Sequence, residues 1–230
     1  MIPRASIIIP VYNQRPEYLL TAVNTALEQS VPVEIIIVDD GCDKPIPTGG
    51  PATVIRHAEN RGVAHALNTG FTAMTTEWFA WLSSDDMIDP RKIELQLEAM
   101  AQRSARASFH QYRIMRNGSI VGHNWMPSWQ TREDQWPMLG KTCVMNGSTI
   151  MLHRSVFDDC GGFDPDFRYG QDWEMWCLVG RKVFLLPIHR ELGTRREHDG
   201  NLTQTIERAG GQMKGRRDAE DAVIRERYAA

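Results

Sequence analysis

"VEIIIVDDG", residues 33–41, is the stretch on which the fold turns. Ile35, Ile36, Ile37 and Val38 form a β-branched run too short for a helix and apolar on both faces, as in a strand buried between two layers. It ends in two carboxylates, Asp39 and Asp40, and then Gly41. "EWFAWLSSDD", residues 77–86, has the same plan: apolar through Leu82, then Ser83, Ser84 and the pair Asp85 and Asp86. Adjacent like charges repel, by about 1 kcal/mol or more where water is shielded from them. Ligands of open α/β sheets bind outside the carboxyl ends of the strands, so two strands ending in acids point to a ligand there. Such a pair is tolerable if one member meets a divalent cation and the other a hydroxyl. Read as turn or capping residues, the same four acids carry no function.

The neighbouring segments extend the pattern. "ASIIIPVYN" (5–13) is another buried parallel-type strand, and "ATVIRHAE" (52–59) a shorter one. Between the strands lie amphipathic helices: "RPEYLLTAVNTALEQS" (15–30), "GVAHALNTGFTAMT" (62–75) and "DPRKIELQLEAMAQR" (89–103), the last opened by Asp89 as cap and Pro90 in the first turn. Strands alternating with helices give a mostly parallel sheet flanked by helices, an α/β fold.

After residue 105 the rhythm changes. "ARASFHQYRIMRNGSIVGHN" reads as two antiparallel strands about an Asn117-Gly118 turn. A Trp-rich stretch, 124–140, is less regular. Residues 144–164 read as strand, short helix and turn, "GQDWEMWCLVGRK" (170–182) as a helix, "VFLLPI" (183–188) as a last strand, and 195–230 as loop then helix. The expected organisation is one domain: a parallel-sheet half (1–104), a second half with a small antiparallel portion (105–194), and a C-terminal loop and helix (195–230).

Composition narrows the function classes. With 26 basic and 29 acidic side chains in 230 residues, net charge gives no case for nucleic-acid or membrane binding. Residues 181–230 carry 11 basic and 8 acidic groups, which keeps an anionic acceptor open, although a solvated amphipathic helix accounts for them equally. Four scattered cysteines without a C-x-x-C pair argue against zinc and suit a reduced, cytoplasmic setting. No apolar run reaches the roughly 18 residues of a membrane span. No G-x-G-x-x-G and no G-x-x-x-x-G-K-[ST] is present, so a bound nucleotide needs a metal and basic side chains for its phosphates.

"SIIIPVYNQ", "EIIIVDDG", "ENRGVAHALNTGF", "LSSDDMIDP", "GGFDPDFRYGQDWEMW" and "REHDGNLT" occur in one order from residue 6 to residue 203. In that ordered set the chain resembles family 2 glycosyltransferases of the GT-A fold. The resemblance implies an inverting enzyme that uses a nucleoside diphosphate sugar, usually a UDP-sugar, with Mn2+ or Mg2+. It implies that Pro10, Val11 and Tyr12 line the base, that Asp40 accepts a hydrogen bond from it, and that Arg61, Asn68, Ser84 and Asp85 border the nucleotide. Asp86, with Asp85 and His198, would bind the metal, and Arg195 or Arg196 the phosphates. Ser83 stands where the family's DXD region often begins with aspartate, which unsettles the division of labour there. Asp172 matches the catalytic base, with Gln171 in place of the common acidic neighbour. A carboxylate in that role takes the acceptor's proton as the hydroxyl attacks. Trp125, Trp129, Trp136 and Trp173 would shape the acceptor site. The implied acceptor is a glycan or lipid-linked glycan, with nucleic acid or protein as alternatives. Two rival functions are a nucleotidyltransferase, which lacks its phosphate loop here, and a non-catalytic sugar-nucleotide binding module, against which the intact Asp85, Asp86 and Asp172 argue.

Overall fold

A computed structural model describes residues 2–47, 50–201, 205, 206, 208 and 210–229. Leu202 and Thr203, the end of "REHDGNLT", lie outside the described residues. In chain order the elements are β1 (Ala5–Val11), α1 (Pro16–Leu27), β2 (Val33–Asp39), β3 (Thr53–Arg56), α2 (Val63–Ala73), β4 (Trp78–Trp81), β5 (Met87–Ile88), α3 (Lys92–Arg103), β6 (Ala107–Arg116), β7 (Ser119–His123), α4 (Arg132–Leu139), β8 (Met151–His153), α5 (Arg154–Cys160), α6 (Gln171–Lys182), β9 (Leu185–Glu197) and α7 (Gly211–Tyr228).

The strands form one sheet in the order β3-β2-β1-β4-β8-β6-β9-β5, with β7 paired to β6. β3, β2, β1 and β4 run parallel, so their carboxyl ends gather at one edge. β8 is antiparallel to both β4 and β6, while β6 and β9 run parallel. The isoleucines of β1 and β2 alternate between two cores. One face packs Ile8, Ile36 and Phe79 against α2, α5 and α6. The other packs Ile7, Ile9, Ile35 and Ile37 against α1 and α3. Burial on both faces is why these strands read as continuous apolar runs. α2 lies so close on β1 that a Cβ on Gly70 would stand 2.4 Å from Ile8 Cγ2.

Four details differ from the sequence reading. The Trp-rich stretch contains α4, which Pro137 disguises as a break; its start is marked by a capping box between Thr131 and Asp134. α3 begins at Lys92, with Arg91 at the cap, and Asp89 turns away to pair with Arg113. β5 is a two-residue strand inside "DDMIDP". β9 does not stop near Ile188. It continues to Glu197 alongside β6, passing register shifts at His110–Arg113. That continuation lacks an apolar run, yet it delivers Arg195–His198 to the end of β4.

Candidate active site

The loops that follow β1 and β2 are stitched together by side chains on backbone. Gly41 turns the chain at φ +75°, and a Cβ there would strike the Glu59 backbone at 2.4 Å. Buried Asp39 accepts from Cys42 N (2.8 Å) and Ile46 N (3.2 Å) and pairs with Arg56. Burial pushes its pKa up, but these donors outweigh that and hold it below the usual carboxylate range. Asp40, also buried, meets His57 Nδ1 (2.7 Å) and Arg61 N (3.0 Å) through Oδ1, and Asn60 Nδ2 (2.9 Å) and Gly62 N (2.7 Å) through Oδ2. Asn13 exchanges hydrogen bonds with Asp43, and Tyr12 is left 51% exposed beside them.

At the end of β4 the two carboxylates face different ways. Asp86 is 2% exposed and points inward. Its Oδ2 accepts from Ser148 Oγ (2.6 Å) and its Oδ1 from Arg196 N (3.0 Å). Burial, and then the charge of Asp85, push its pKa up to about 7. Ser148 also takes the Ser83 N–H, so the turn is braced from β8's side of the sheet. Asp85 instead lies with His198 Nε2 (3.0 Å) and Asn201 Nδ2 (2.8 Å) on its Oδ2. Tyr18, on α1, packs its ring 4.9 Å from that of His198 and beneath the Arg196 guanidinium. Gln14 bonds Ser84 Oγ at 3.3 Å.

A carboxylate oxygen and an imidazole nitrogen at one point are a chemically suitable pair for a hard divalent cation. Mg2+ and Mn2+ take few protein ligands when a substrate's phosphates and water complete the shell. Among the described residues no group of three or more acidic, His or Cys side chains is arranged to hold an ion alone. Asp85 and His198 therefore fit a cation shared with a diphosphate.

The third component is the segment before α6. Asp172 sits in the first turn of α6, with Trp173 N on its Oδ1 at 2.8 Å. Enclosure of the carboxyl pushes its pKa up to about 6; backbone N–H groups and Arg217 pull the other way. Four residues earlier, the Arg168 guanidinium reaches Asn60 Oδ1 at 2.5 Å. Asn60 in turn binds Asp40, so the segment before α6 is joined to the loop after β2 across 108 residues of chain.

The sequence profile of glycosyl transferase family 2 matches residues 6–161, a span that includes the ends of β1, β2 and β4. The chain belongs to glycosyl transferase family 2. It is 30% identical over 215 residues to the uncharacterized glycosyltransferase RT0329 of Rickettsia typhi, covering 88% of this chain and 67% of that one. It is 26% identical to the UDP-Glc:alpha-D-GlcNAc-diphosphoundecaprenol beta-1,3-glucosyltransferase WfgD of Escherichia coli, over 76% of this chain and 68% of the other. The fold is that of S. aureus TarS 1–349 solved with UDP-GlcNAc: TM-score 0.71, 14% identity, 86% of this chain and 60% of that one. The fold is thus GT-A, and the chain spans about two thirds or less of these relatives.

Within this family 2 glycosyltransferase, several residues expected at the site have other partners. Both oxygens of Asp86 accept hydrogen bonds inside, and Asp85 meets His198. Asp40 has four donors on its two oxygens, which organises the Asn60–Gly62 turn. Asn68 bonds both the N–H and the C=O of Phe163 and ties α2 to the segment before α6. Arg196 spends its guanidinium on Asp85 O, Tyr18 and two methionine sulfurs rather than on phosphate. Pro10, Val11, Tyr12, Arg61 and Ser84 do lie at or beside the strand ends, with Tyr12 and Arg61 exposed and Val11 and Ser84 buried.

Of the four tryptophans, Trp129 and Trp173 are core residues whose Nε1 groups donate to Leu185 O and Leu139 O. Trp136 is half-buried, with Arg181 4.7 Å from its ring. Only Trp125, 63% exposed, stands free as an aromatic surface. Trp129→Ala is expected to cost about 3–5 kcal/mol in urea unfolding, as large-to-small core changes do. Trp125→Ala should stay within about 0.5 kcal/mol, the range of ordinary surface substitutions. Tyr18, Asn60, Ser148, Arg168 and Asn201 were missed from sequence, because each acts on a partner far away in the chain.

Proposed function

We propose that this glycosyltransferase moves a sugar from a nucleoside diphosphate sugar, a UDP-sugar by analogy with the UDP-Glc in WfgD's name and the UDP-GlcNAc bound to TarS, to an acceptor hydroxyl with inversion. The acceptor oxygen attacks the anomeric carbon as its proton passes to an Asp172 carboxylate oxygen. The bond to the diphosphate breaks on the opposite face, through an oxocarbenium-like transition state. Mn2+ or Mg2+, held by Asp85 and His198, would neutralise charge on the departing diphosphate. Arg61 and Tyr12 border the nucleotide in this reading, and Trp125 offers a face to an acceptor sugar. A glycan or lipid-linked glycan is the acceptor class favoured by WfgD's diphosphoundecaprenol substrate.

The observation that carries the reading is the Arg168–Asn60–Asp40 link. It ties the segment carrying Asp172 to the strand-end loop, which supports the reading of Asp172 and the strand ends as parts of one site. All four cysteines are free, which suits a cytoplasmic enzyme. No described helix is long and apolar enough to cross a membrane. The test is a panel of nucleotide sugars with Mn2+, read by nucleoside diphosphate release with and without glycan acceptors. A donor that binds but is neither hydrolysed nor transferred favours the non-catalytic sugar-nucleotide binding module.

A pH profile tests the base. Asp172 is pushed up to about 6, and only its ionised form accepts a proton. Activity should therefore rise with pH through about 6 and level above it. Asp172→Glu, if active, should move that limb. A profile flat from pH 5 to pH 8 would contradict a carboxyl base with this environment.

A further inference from the structure

α7 is packed onto the base helix through a buried carboxylate that the proposed mechanism does not use. Glu220, 8% exposed, accepts three consecutive backbone N–H groups: Arg168 N at 2.9 Å on Oε1, and Tyr169 N (2.7 Å) and Gly170 N (2.9 Å) on Oε2. Arg216, one turn earlier on α7, closes on Oε1 at 3.0 Å. α6 has no cap of its own; Gly170 stands at the cap position and offers no side chain. A Cβ there would meet Ile224 Cδ1 at 2.9 Å and Glu220 at 3.7 Å, so α7 occupies the space a capping side chain would need. The N–H groups at a helix start need partners, and a carboxylate there interacts favourably with the helix dipole. From 50 residues away Glu220 takes the cap N–H of Gly170, together with the N–H groups of Arg168 and Tyr169 in the turn that leads into the helix.

Residues 168–170 have two duties. Arg168 reaches the Asn60 turn on the donor side, and Gly170 leads directly into Asp172. We infer that Glu220 is a positioning residue for transfer: by fixing this segment from α7, it sets where Asp172 stands relative to the donor loop. The inference rests on Asp172 as base, and it makes α7 a working part of the catalytic half rather than a solvated tail. The rest of the interface supports a fixed attachment. Tyr228 OH donates to Glu174 at 2.5 Å, Ile224 is fully buried, and the Arg225 guanidinium lies 5.1 Å from the Trp173 ring. Tyr228 and Arg225 hold the helix through Glu174 and Trp173 rather than through residues 168–170, which allows the two roles to be separated.

The experiment compares Glu220→Gln and Glu220→Asp with Tyr228→Phe, and runs Asp172→Asn in parallel, using whichever nucleotide sugar and acceptor the panel identifies. Glu220→Gln is nearly isosteric but turns an N–H2 towards backbone donors. Glu220→Asp keeps the charge and cannot span three N–H groups. Displacing a base by a fraction of an ångström to 1 Å is expected to lower kcat by roughly 10- to 100-fold with donor KM nearly unchanged. Glu220→Asp should fall between Glu220→Gln and the parent. Tyr228→Phe should lower Tm while kcat holds, because it loosens the helix elsewhere.

The acid limb of the kcat profile gives a second readout. The groups near Asp172 are Arg217 and Asp221 of α7 and Cys143. Removing the Glu220 charge and freeing N–H groups both favour ionised Asp172, so the limb should shift to lower pH. If Glu220→Gln and Glu220→Asp keep parental kcat and pH limb while Asp172→Asn is inactive, the Glu220 role is overturned and the base stands. If Asp172→Asn itself transfers normally, the base assignment fails first. Should Glu220→Gln not fold, Glu220→Asp decides by the same criteria.

Discussion

Asp172→Asn should reduce transfer by roughly 100- to 10,000-fold, the range of a positioned general base. The substitution keeps shape: its amide oxygen still accepts from Trp173 N, so the start of α6 is preserved. What it loses is the lone pair that takes a proton from an acceptor whose own pKa is far too high for attack at neutral pH. Donor binding should change little if, as proposed, the nucleotide is held at the ends of β1, β2 and β4. Two measurements on one preparation decide it: the rate of glycoside formation at saturating donor, and the donor Kd. A transfer rate within tenfold of the parent would move the base to another residue. A Kd that rose with the loss of rate would mean instead that Asp172 binds donor.

Asp85→Ala should abolish the response to divalent cation, whereas Asp86→Asn should keep it. The contrast follows from which way each carboxylate faces. Asp85 meets His198 and Asn201, and Asp86 meets Ser148 and the Arg196 backbone. In the parent, Mn2+ with UDP at a hundredfold excess over Kd should stabilise the fold by about 2.7 kcal/mol. For a domain of this size that is a rise in Tm of roughly 5–10 °C. Asp85→Ala, or excess chelator on the parent, should remove most of that rise and cut transfer by at least roughly 100-fold, as expected when charge on a leaving diphosphate goes unneutralised. Asp86→Asn removes a buried charge that is already costly, with a pKa pushed up to about 7. It retains hydrogen-bonding capacity towards Ser148 and Arg196 N, so transfer should fall by less than about tenfold, as for a residue that holds the turn without touching the reacting atoms. The opposite pattern, with cation response lost in Asp86→Asn and retained in Asp85→Ala, would return the metal to Asp86.

The difference between the two carboxylates marks where sequence reasoning stopped. Two acids side by side after an apolar strand are legible as a site, since nothing in a core tolerates them. Which one faces the ligand depends on Ser148, 62 residues later, and on the Arg196 N–H, 110 residues later. The same holds for the tryptophans. Trp125 and Trp129 are four positions apart in one Trp-rich stretch and look equivalent, but one is 63% exposed and the other has its indole N–H on Leu185 O. Asp40 looked like a ligand for a base, and the structure gives its oxygens to a turn that the chain forms with itself.

The layers, the parallel strands and the acid-bearing end of the sheet were legible in the sequence. Those features follow from local patterns: β-branched runs, 3.6-residue periodicity and acids at strand ends. Its ordered motifs also pointed to the family. Which way each acid faces, how far β9 runs and the closure of α7 over the start of α6 emerged only on folding. Each of these depends on hydrogen bonds between residues 50 to 116 positions apart, and such pairings leave no periodic trace in one chain. Glu220 is the clearest case. In sequence it is one acid in a run of charges, and folded it accepts three backbone N–H groups in the turn that leads to Asp172.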